Sequence, residues 1–336
     1  MNSTSMRSSA LLSWLEQQLK ATGIELLPMT GDASFRYYYR IKNFTGLIAV
    51  DAAPHLANDN HGFVVVAQLL KNIDLNVPIV YAHDLERGFL LISDLGHTVY
   101  LDALCEANAD DLYGNALDSL ARLQTVQALE AFSCEAFDAS RMRTELDNFR
   151  IWVMEKFLNI QLDPIWSQKL TLCFEKMLTL AVEQPQVFIH RDYHSRNLLV
   201  CENNPGILDF QDAMIGPITY DAVSLLRDAY IAWPVEKVAR WTNSFYDRIY
   251  DRKDMHGFSH DHFMYAFDAM GMQRHLKAAF IFARKFLRDD VDRYLVDIPR
   301  TLKYVEAISR QYAEFNDLHI LLQERVLPAL AEKGYA

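Results

Sequence analysis

The fold and chemistry of this chain are decided by two short stretches, HRDYHSRN at residues 190–197 and DFQD at residues 209–212. Short apolar runs flank them, at residues 186–189, 198–200 and 206–208. Apolar runs of this length, separated by polar residues, predict a small β-element set into a region that otherwise has helical periodicity. The polar side chains between them are therefore expected on loops that short strands hold in place.

The spacing of three side chains in these stretches indicates phosphoryl transfer. Asp192 is followed by Asn197 five residues later and by Asp209 twelve residues further on. Kinase-type enzymes use this arrangement to act on ATP. Because Mg²⁺ prefers oxygen ligands, Asn197 and Asp209 are predicted to bind an ATP-bound Mg²⁺. Asp192 is predicted to orient the acceptor hydroxyl and to take its proton.

A transition-metal site is the alternative interpretation of the same loop. His190, Asp192 and His194 alternate along it, and alternation on an extended segment can bring three side chains to one face. This alternative leaves Asn197 and Asp209 without a role, so the phosphoryl-transfer interpretation is favoured.

Composition and charge restrict the class of protein. The chain has 336 residues, 51% of them apolar and 23% charged, which is typical of a globular protein of about two domains. The net charge of −11 makes a nucleic-acid or anionic-membrane partner unexpected, since phosphate binding needs clustered Lys and Arg. No segment has the apolar length of a secretory signal or a membrane span. A cytoplasmic location is therefore predicted.

The first 93 residues predict a small unit rich in strands. Ser8 and Ser9 are the expected caps of a first helix that Gly23 ends. Apolar and polar residues alternate over 35–42, and a turn leads to the apolar run 47–50, which predicts a β-hairpin. A helix over 63–70 and strands at 79–81 and 89–92 complete this unit.

A turn-prone cluster follows the last of these strands, and helical periodicity dominates beyond it. The predicted organisation is accordingly an N-terminal nucleotide-binding lobe over residues 1–93, a hinge over 94–97, and a C-terminal catalytic and substrate-binding lobe over 98–336.

The chain resembles the aminoglycoside phosphotransferase-like kinase family over nearly its whole length. The members of this family are small-molecule relatives of the protein kinases. Within that family it is similar to the bacterial kinases that phosphorylate the anomeric hydroxyl of N-acetylmuramate and N-acetylglucosamine. The resemblance is carried by GDASFR (31–36), HRDYHSRN (190–197), LDFQ (208–211), GPITYD (216–221), LLRD (225–228) and GMQRHLK (271–277).

This resemblance implies an α+β, two-lobed protein-kinase-like fold, with a small β-rich N-lobe, a larger and mainly helical C-lobe, ATP in the cleft and the hinge near residues 93–96. It also implies a function. The expected activity is ATP- and Mg²⁺-dependent phosphorylation of the C1 hydroxyl of N-acetylmuramate or N-acetylglucosamine in peptidoglycan recycling, with the small-molecule sugar as partner.

The resemblance further implies roles for individual residues. Contacts to ATP are expected from Gly31, Ser34, Arg36, Asp94 and Leu95. Contacts to the sugar are expected from Arg191, His194, Gln211, Asp212, Arg227 and Trp233. Asp221 is expected to brace the catalytic loop through backbone hydrogen bonds.

One position departs from the protein-kinase pattern. Protein kinases place a Lys on the third strand to hold the ATP phosphates, whereas the corresponding run 47–50 ends here in Asp51. The hypothesis is that Arg36 supplies the missing positive charge.

The chain between the two motifs and the next helix indicates a small acceptor. Only about a dozen residues separate Asp209 from Asp221, without the Ala-Pro-Glu motif that accompanies a peptide platform. A protein substrate is therefore not expected.

Two other functions remain as alternatives. The first is an aminoglycoside or other small-molecule phosphotransferase, but residues 225–290 lack the run of carboxylates that a polycationic antibiotic requires. The second is a catalytically silent nucleotide-binding protein, which is disfavoured because Asp192, Asn197 and Asp209 are all present.

Overall fold

The computed structural model describes residues 3–29, 36–54, 60–126 and 134–335. Their contacts divide the chain into two compact units. The sheet unit contains the described residues of Met1–Cys105 and of Arg196–Ala213. The helical unit contains those of Glu106–Gln127, Cys134–Ser195 and Met214–Ala336. The functional lobes expected over residues 1–93 and 98–336, with a hinge over 94–97, stay a prediction.

The sheet unit is built on a five-stranded antiparallel sheet, whose strands are β1 Leu26–Pro28, β2 Arg36–Ile41, β3 Leu47–Ala52, β4 Val80–Asp84 and β5 Phe89–Ser93. They follow the order β1-β2-β3-β5-β4 across the sheet. The predicted hairpin is confirmed as β2 and β3, with Tyr38 opposite Val50. The predicted strands at 79–81 and 89–92 are confirmed as β4 and β5.

A first helix, α1 Ser3–Leu19, packs on one face of this sheet. Leu11 and Leu15, which recur at helical spacing, are buried there against Ile41 and Leu91. The cap prediction was wrong, because the helix begins before Ser8 and Ser9. The reason is that the segment carries Ser or Thr at several successive positions, so sequence alone does not single out the capping residue.

The remaining elements of the sheet unit are α2 Asn60–Asn72, α3 Tyr100–Ala103, β7 Leu198–Leu199 and β8 Gly206–Ile207. The α2 helix confirms the predicted helix over 63–70. The β7–β8 hairpin is tied to the rest of the unit by backbone hydrogen bonds from Ile207 to Asn76 (2.8 Å) and from Val200 to Thr98 (2.8 Å).

The helical unit contains all the other helices of the described residues, together with one pair of strands. Its elements are α4 Ala109–Leu123, α5 Ala139–Asn148, α6 Pro164–Val182, β6 Gln186–Ile189, β9 Met214–Pro217, α7 Tyr220–Leu226, α8 Val235–Ile249, α9 His260–Asp289, α10 Ile298–Ser309, α11 Asn316–Leu321 and α12 Leu327–Glu332. Phe149–Phe157 and Leu322–Val326 are π-helical. Across the described part of the chain, no helix has the length and apolar character needed to cross a membrane.

The single β-element predicted around the catalytic loop is corrected to two separate pairs of strands. Strand β6 pairs with β9 in the helical unit, and β7 pairs with β8 in the sheet unit. Strand β9 escaped prediction because its Gly216-Pro217 pair is typical of a turn. Pairing with β6 explains the glycine, since a Cβ at Gly216 would lie 2.5 Å from Ile189 Cδ1.

The turn between β4 and β5 predicts a sharp difference between two glycines of the sheet unit. Gly88 has φ +74°, and a Cβ there would lie 1.9 Å from the carbonyl oxygen of Ala52. Gly46 has φ +81°, but a Cβ there would meet nothing within 4 Å. We expect Gly46→Ala to lower the free energy of unfolding by about 1 kcal/mol and Gly88→Ala by more than about 3 kcal/mol, measured by urea denaturation. Equal losses would contradict the steric argument.

Candidate active site

The catalytic loop, residues 190–195, begins where β6 ends in the helical unit. Its first two backbone N–H groups, from His190 and Arg191, donate to the carboxylate of Asp221 at 2.6 and 3.0 Å. Arg191 has φ +76°, a left-handed conformation that costs free energy for a residue other than glycine. Asp221 is fully buried at the start of α7 and restrains this turn. Burial raises its pKa, because desolvation outweighs the hydrogen bonds.

The far end of the same loop is held by a second buried carboxylate. Ser195 donates to Asp228 from its backbone N–H (2.9 Å) and from its hydroxyl (2.5 Å). The backbone N–H of Tyr230 donates to the same side chain at 2.9 Å. Asp228 lies directly after α7, so one short segment anchors both ends of the loop. We call Asp221 and Asp228 together the loop clamp.

Asp192 lies between the two anchored ends. Burial by itself would raise its pKa, but the ammonium of Lys277 and the guanidinium of Arg274 outweigh that effect and hold the pKa below its ordinary value. His194 and His190 act in the same direction. Asp192 is therefore a carboxylate throughout the neutral pH range and only a weak proton acceptor.

The two cations beside Asp192 come from α9, which sequence reasoning did not connect with the site. Arg274 Nη1 and Lys277 Nζ both donate to the hydroxyl of Tyr220, at 2.8 and 2.9 Å. Lys277 Nζ also lies 3.5 Å from Glu145 Oε1 of α5. The available signal was the spacing of three residues between Arg274 and Lys277, which places both on one helix face.

In the sheet unit, the β7–β8 hairpin carries the two predicted metal ligands. The backbone carbonyl of Asn197 accepts from Leu208 N–H at 3.0 Å, which holds the segments of Asn197 and Asp209 together. Asp209 is exposed and has φ +63°. Its carboxylate accepts from Gln211 Nε2 at 2.6 Å. An amide oxygen and a carboxylate on one hairpin are a donor set suited to a hard cation such as Mg²⁺.

Aromatic packing anchors the backbone directly after Asp209. Phe210 is fully buried and stacks on Phe63 of α2, with ring centroids 5.0 Å apart. The guanidinium of Arg36 lies over the ring of Phe63, 5.7 Å from its centroid. Burial raises the pKa of the neighbouring Tyr38; Arg36 opposes that rise and Asp209 adds to it. Arg36 and Asp209 therefore act with opposite sign on one phenol within the sheet unit.

The other residues expected to contact ATP fall into two groups. Gly31 and Ser34 lie outside the described residues. Asp94 and Leu95 lie in the sheet unit, where Asp94 accepts from Arg40 Nε (2.7 Å) and from its own loop at Gly96 N–H (2.8 Å). Their contact with a nucleotide stays a prediction.

Asp51, at the end of β3, has a partner that explains its departure from the protein-kinase pattern. Its carboxylate accepts a hydrogen bond from the guanidinium of Arg7 on α1. The acidic side chain thus joins the first helix to the sheet.

The residues expected to contact the sugar are distributed over both units. Gln211 and Asp212 belong to the sheet unit. The other four, Arg191, His194, Arg227 and Trp233, belong to the helical unit.

Three of those four already have partners in the fold. Arg191 lies 3.7 Å from Glu145, and Trp233 Nε1 donates to the Tyr113 hydroxyl at 2.9 Å. Arg227 pairs with Asp268 at 2.5 Å, so its charge is matched within the protein.

His194 differs from them. Its Nδ1 is buried without a hydrogen-bond partner among the described residues, and its ring packs edge-on against Tyr230.

The transition-metal interpretation of the loop is not supported. Over the residues that the structure describes, no three His, Cys, Asp or Glu side chains are grouped closely enough to hold a metal ion.

The family described as phosphotransferase enzyme family matches residues 25–255, which include the catalytic loop, both predicted metal ligands and the loop clamp. The chain belongs to the phosphotransferase enzyme family. The resemblance noted from the motifs is thereby confirmed.

Two curated relatives of this phosphotransferase carry the same description, N-acetylmuramate/N-acetylglucosamine kinase. The protein of Pseudomonas aeruginosa is 41% identical over 308 residues, covering 92% of this chain and 90% of that protein. The protein of Pseudomonas putida is 34% identical over 329 residues, covering 95% of this chain and 96% of that protein.

Among solved structures, the ADP-bound aminoglycoside phosphotransferase APH(2'')-Ib is similar with a TM-score of 0.61 at 16% identity, over 88% of this chain and 97% of that one. This likeness concerns the fold, and it confirms the predicted class, a β-rich N-lobe with a larger helical C-lobe.

The loop clamp predicts unequal costs for two substitutions in this phosphotransferase. Asp228→Ala leaves three donors without an acceptor, so we expect the free energy of unfolding to fall by about 2–4 kcal/mol. Ser195→Ala removes only the hydroxyl donor and is expected to cost about 1 kcal/mol. Urea denaturation of both variants measures the difference. A loss for Asp228→Ala no larger than that for Ser195→Ala would show that the clamp does not hold the loop.

Proposed function

We propose that this phosphotransferase transfers the γ-phosphoryl group of ATP to the C1 hydroxyl of N-acetylmuramate or N-acetylglucosamine, in the cytoplasm, during peptidoglycan recycling. The observation that carries the proposal is the 41% identity with a relative of that description over 92% of the chain. Its support in the structure is a clamped loop that presents one ionised carboxylate.

Asp192 is proposed as the catalytic residue. Its lowered pKa makes it a weak base, so its main contribution is to hold the C1 hydroxyl in line for transfer and to accept the proton late. A sugar C1 hydroxyl is more acidic than an ordinary alcohol and therefore needs only a weak base. The loop clamp serves this role by fixing the backbone on both sides of Asp192.

Asn197 and Asp209 are proposed to hold the Mg²⁺ that ATP brings. The ion, when bound, would neutralise charge on the phosphates. Arg36 is proposed to add positive charge on the same unit, which is consistent with its position over Phe63 and with its effect, opposite to that of Asp209, on the pKa of Tyr38. Gly31, Ser34, Asp94 and Leu95 complete the proposed nucleotide contacts.

The charge around Asp192 opposes the antibiotic alternative. Arg274 and Lys277 lower the pKa of its carboxylate, and Arg274 has no ion-pair partner among the described residues. This unpaired cation would repel a polycationic aminoglycoside, whereas it would not repel a neutral or anionic sugar.

The proposed acceptors are tested by ³¹P NMR of the products formed from ATP, Mg²⁺ and each sugar. We expect a sugar 1-phosphate from N-acetylmuramate or N-acetylglucosamine. Asp192→Asn is expected to lower kcat by about 100- to 10,000-fold, because the sugar hydroxyl loses the enzyme carboxylate that orients it and takes its proton.

The matched control is Asp111→Asn, the same substitution at an exposed position of α4, which is expected to retain wild-type turnover. Turnover by Asp192→Asn at the rate of the control would remove Asp192 from the chemistry. Phosphate on a hydroxyl other than C1 would overturn the proposed reaction.

The proposed metal ligands predict a changed requirement for Mg²⁺. Asp209→Asn replaces an anionic ligand by a neutral one, so we expect the Mg²⁺ concentration for half-maximal rate to rise about tenfold or more. Glu202→Gln changes an exposed acid of the same hairpin and is expected to leave that concentration unchanged. A titration of the initial rate with Mg²⁺ compares them, and coincident curves would exclude Asp209 as a ligand.

A further inference from the structure

Arg274 of α9 is a partly buried cation whose hydrogen bonds are incomplete. Its guanidinium lies over the ring of Tyr220 at 4.7 Å, and its Nη1 donates to the hydroxyl of the same residue at 2.8 Å. Its Nε is buried and has no hydrogen-bond partner among the described residues. Tyr220 therefore orients the guanidinium and leaves one N–H buried but unused.

The neighbouring Lys277 is in a different situation. It is 6% exposed, donates to Tyr220, and lies 3.5 Å from Glu145 Oε1. Glu145 also accepts from Gln273 at 2.7 Å and lies 3.7 Å from Arg191. The carboxylate of Glu145 thus balances the charge of Lys277.

Arg274 has no such partner. Within the described ranges, no carboxylate forms an ion pair with it at 4.0 Å or less. Asp192 and Glu145 act on it only electrostatically. Burying part of a guanidinium without a direct partner is unfavourable, and the Nε edge of an arginine is the geometry that binds a carboxylate through two parallel hydrogen bonds. A carboxylate that reaches this edge would complete the hydrogen bonds of the guanidinium.

We propose that Arg274 binds the carboxylate of the lactyl group of N-acetylmuramate, and so sets the preference between the two sugars; this rests on the proposed function. N-acetylglucosamine has a hydroxyl where N-acetylmuramate carries the lactyl ether, so only one acceptor presents an anion. Arg274 donates to the hydroxyl of Tyr220, and the next residue, Asp221, holds the backbone directly before Asp192, the residue proposed to hold the C1 oxygen.

A phosphate of ATP is the other anion that Arg274 could serve. The two roles differ in what they predict for the acceptors. A contact to the transferred phosphate, or an effect through Asp192, changes the rate with every sugar alike. A contact to the lactyl carboxylate changes only the rate with the anionic sugar.

The test compares kcat/KM for three acceptors: N-acetylmuramate, its methyl ester, and N-acetylglucosamine. The ester retains the lactyl group but has no charge. Arg274→Gln is the test variant, and Arg274→Lys retains the charge without the planar fork. Arg284→Gln is the matched control, since Arg284 lies about 15 Å further along α9 and also has a buried Nε without a described partner.

We expect Arg274→Gln to lower the ratio of kcat/KM for N-acetylmuramate over N-acetylglucosamine by about 10- to 100-fold, the range for a hydrogen bond to a charged group. The ratio for the methyl ester over N-acetylglucosamine should not change. Arg274→Lys should give an intermediate loss, and Arg284→Gln should keep the wild-type ratios.

An equal loss with all three acceptors in Arg274→Gln would overturn the inference while leaving the proposed function intact. A wild-type protein that phosphorylates neither sugar would instead overturn the proposed function. Turnover of any acceptor by the Arg274 variants shows that they fold. Were Arg274→Gln inactive on all of them, Arg274→Lys would decide, and unchanged ratios in that variant would reject the contact.

Discussion

The site of this phosphotransferase depends on two buried carboxylates that bind backbone N–H groups at both ends of one loop. A carboxylate removed from water is costly unless hydrogen bonds compensate it. Asp221 accepts two such bonds and Asp228 accepts three, one of them from a hydroxyl. Since both residues belong to α7 or follow it directly, the position of Asp192 is tied to that helix. The strained conformation of Arg191 is maintained by the same bonds.

Charge is arranged differently in the two units. In the helical unit, cations from α9 keep Asp192 ionised, which favours a positioning role over strong base catalysis. In the sheet unit, Asp51 lies on the strand predicted to correspond to the lysine-bearing strand of protein kinases, and it is paired with Arg7. Arg36 is the residue proposed to supply the positive charge that the phosphates require, and its guanidinium lies over Phe63, which stacks on Phe210 next to Asp209.

Much of the fold and of the candidate site could be predicted from the sequence, because the patterns that indicate them lie within short segments. The alternation around residues 35–42 gives the β2–β3 hairpin, since side chains of a strand point alternately to two faces. The spacing of Asp192, Asn197 and Asp209 indicates phosphoryl transfer, since metal and acceptor ligands on adjoining loops keep fixed intervals. These are properties of short segments, and they identified the family and the chemistry.

Tertiary structure alone decided which distant groups meet. Glu145 and Lys277 are 132 residues apart and pair at 3.5 Å, while Arg227 pairs with Asp268 instead of facing solvent. Strand β9 exists because β6 supplies its hydrogen bonds, against the turn preference of Gly216 and Pro217. Local periodicity does not encode such contacts, because an ion pair or a ladder between remote segments forms only once the whole chain has packed.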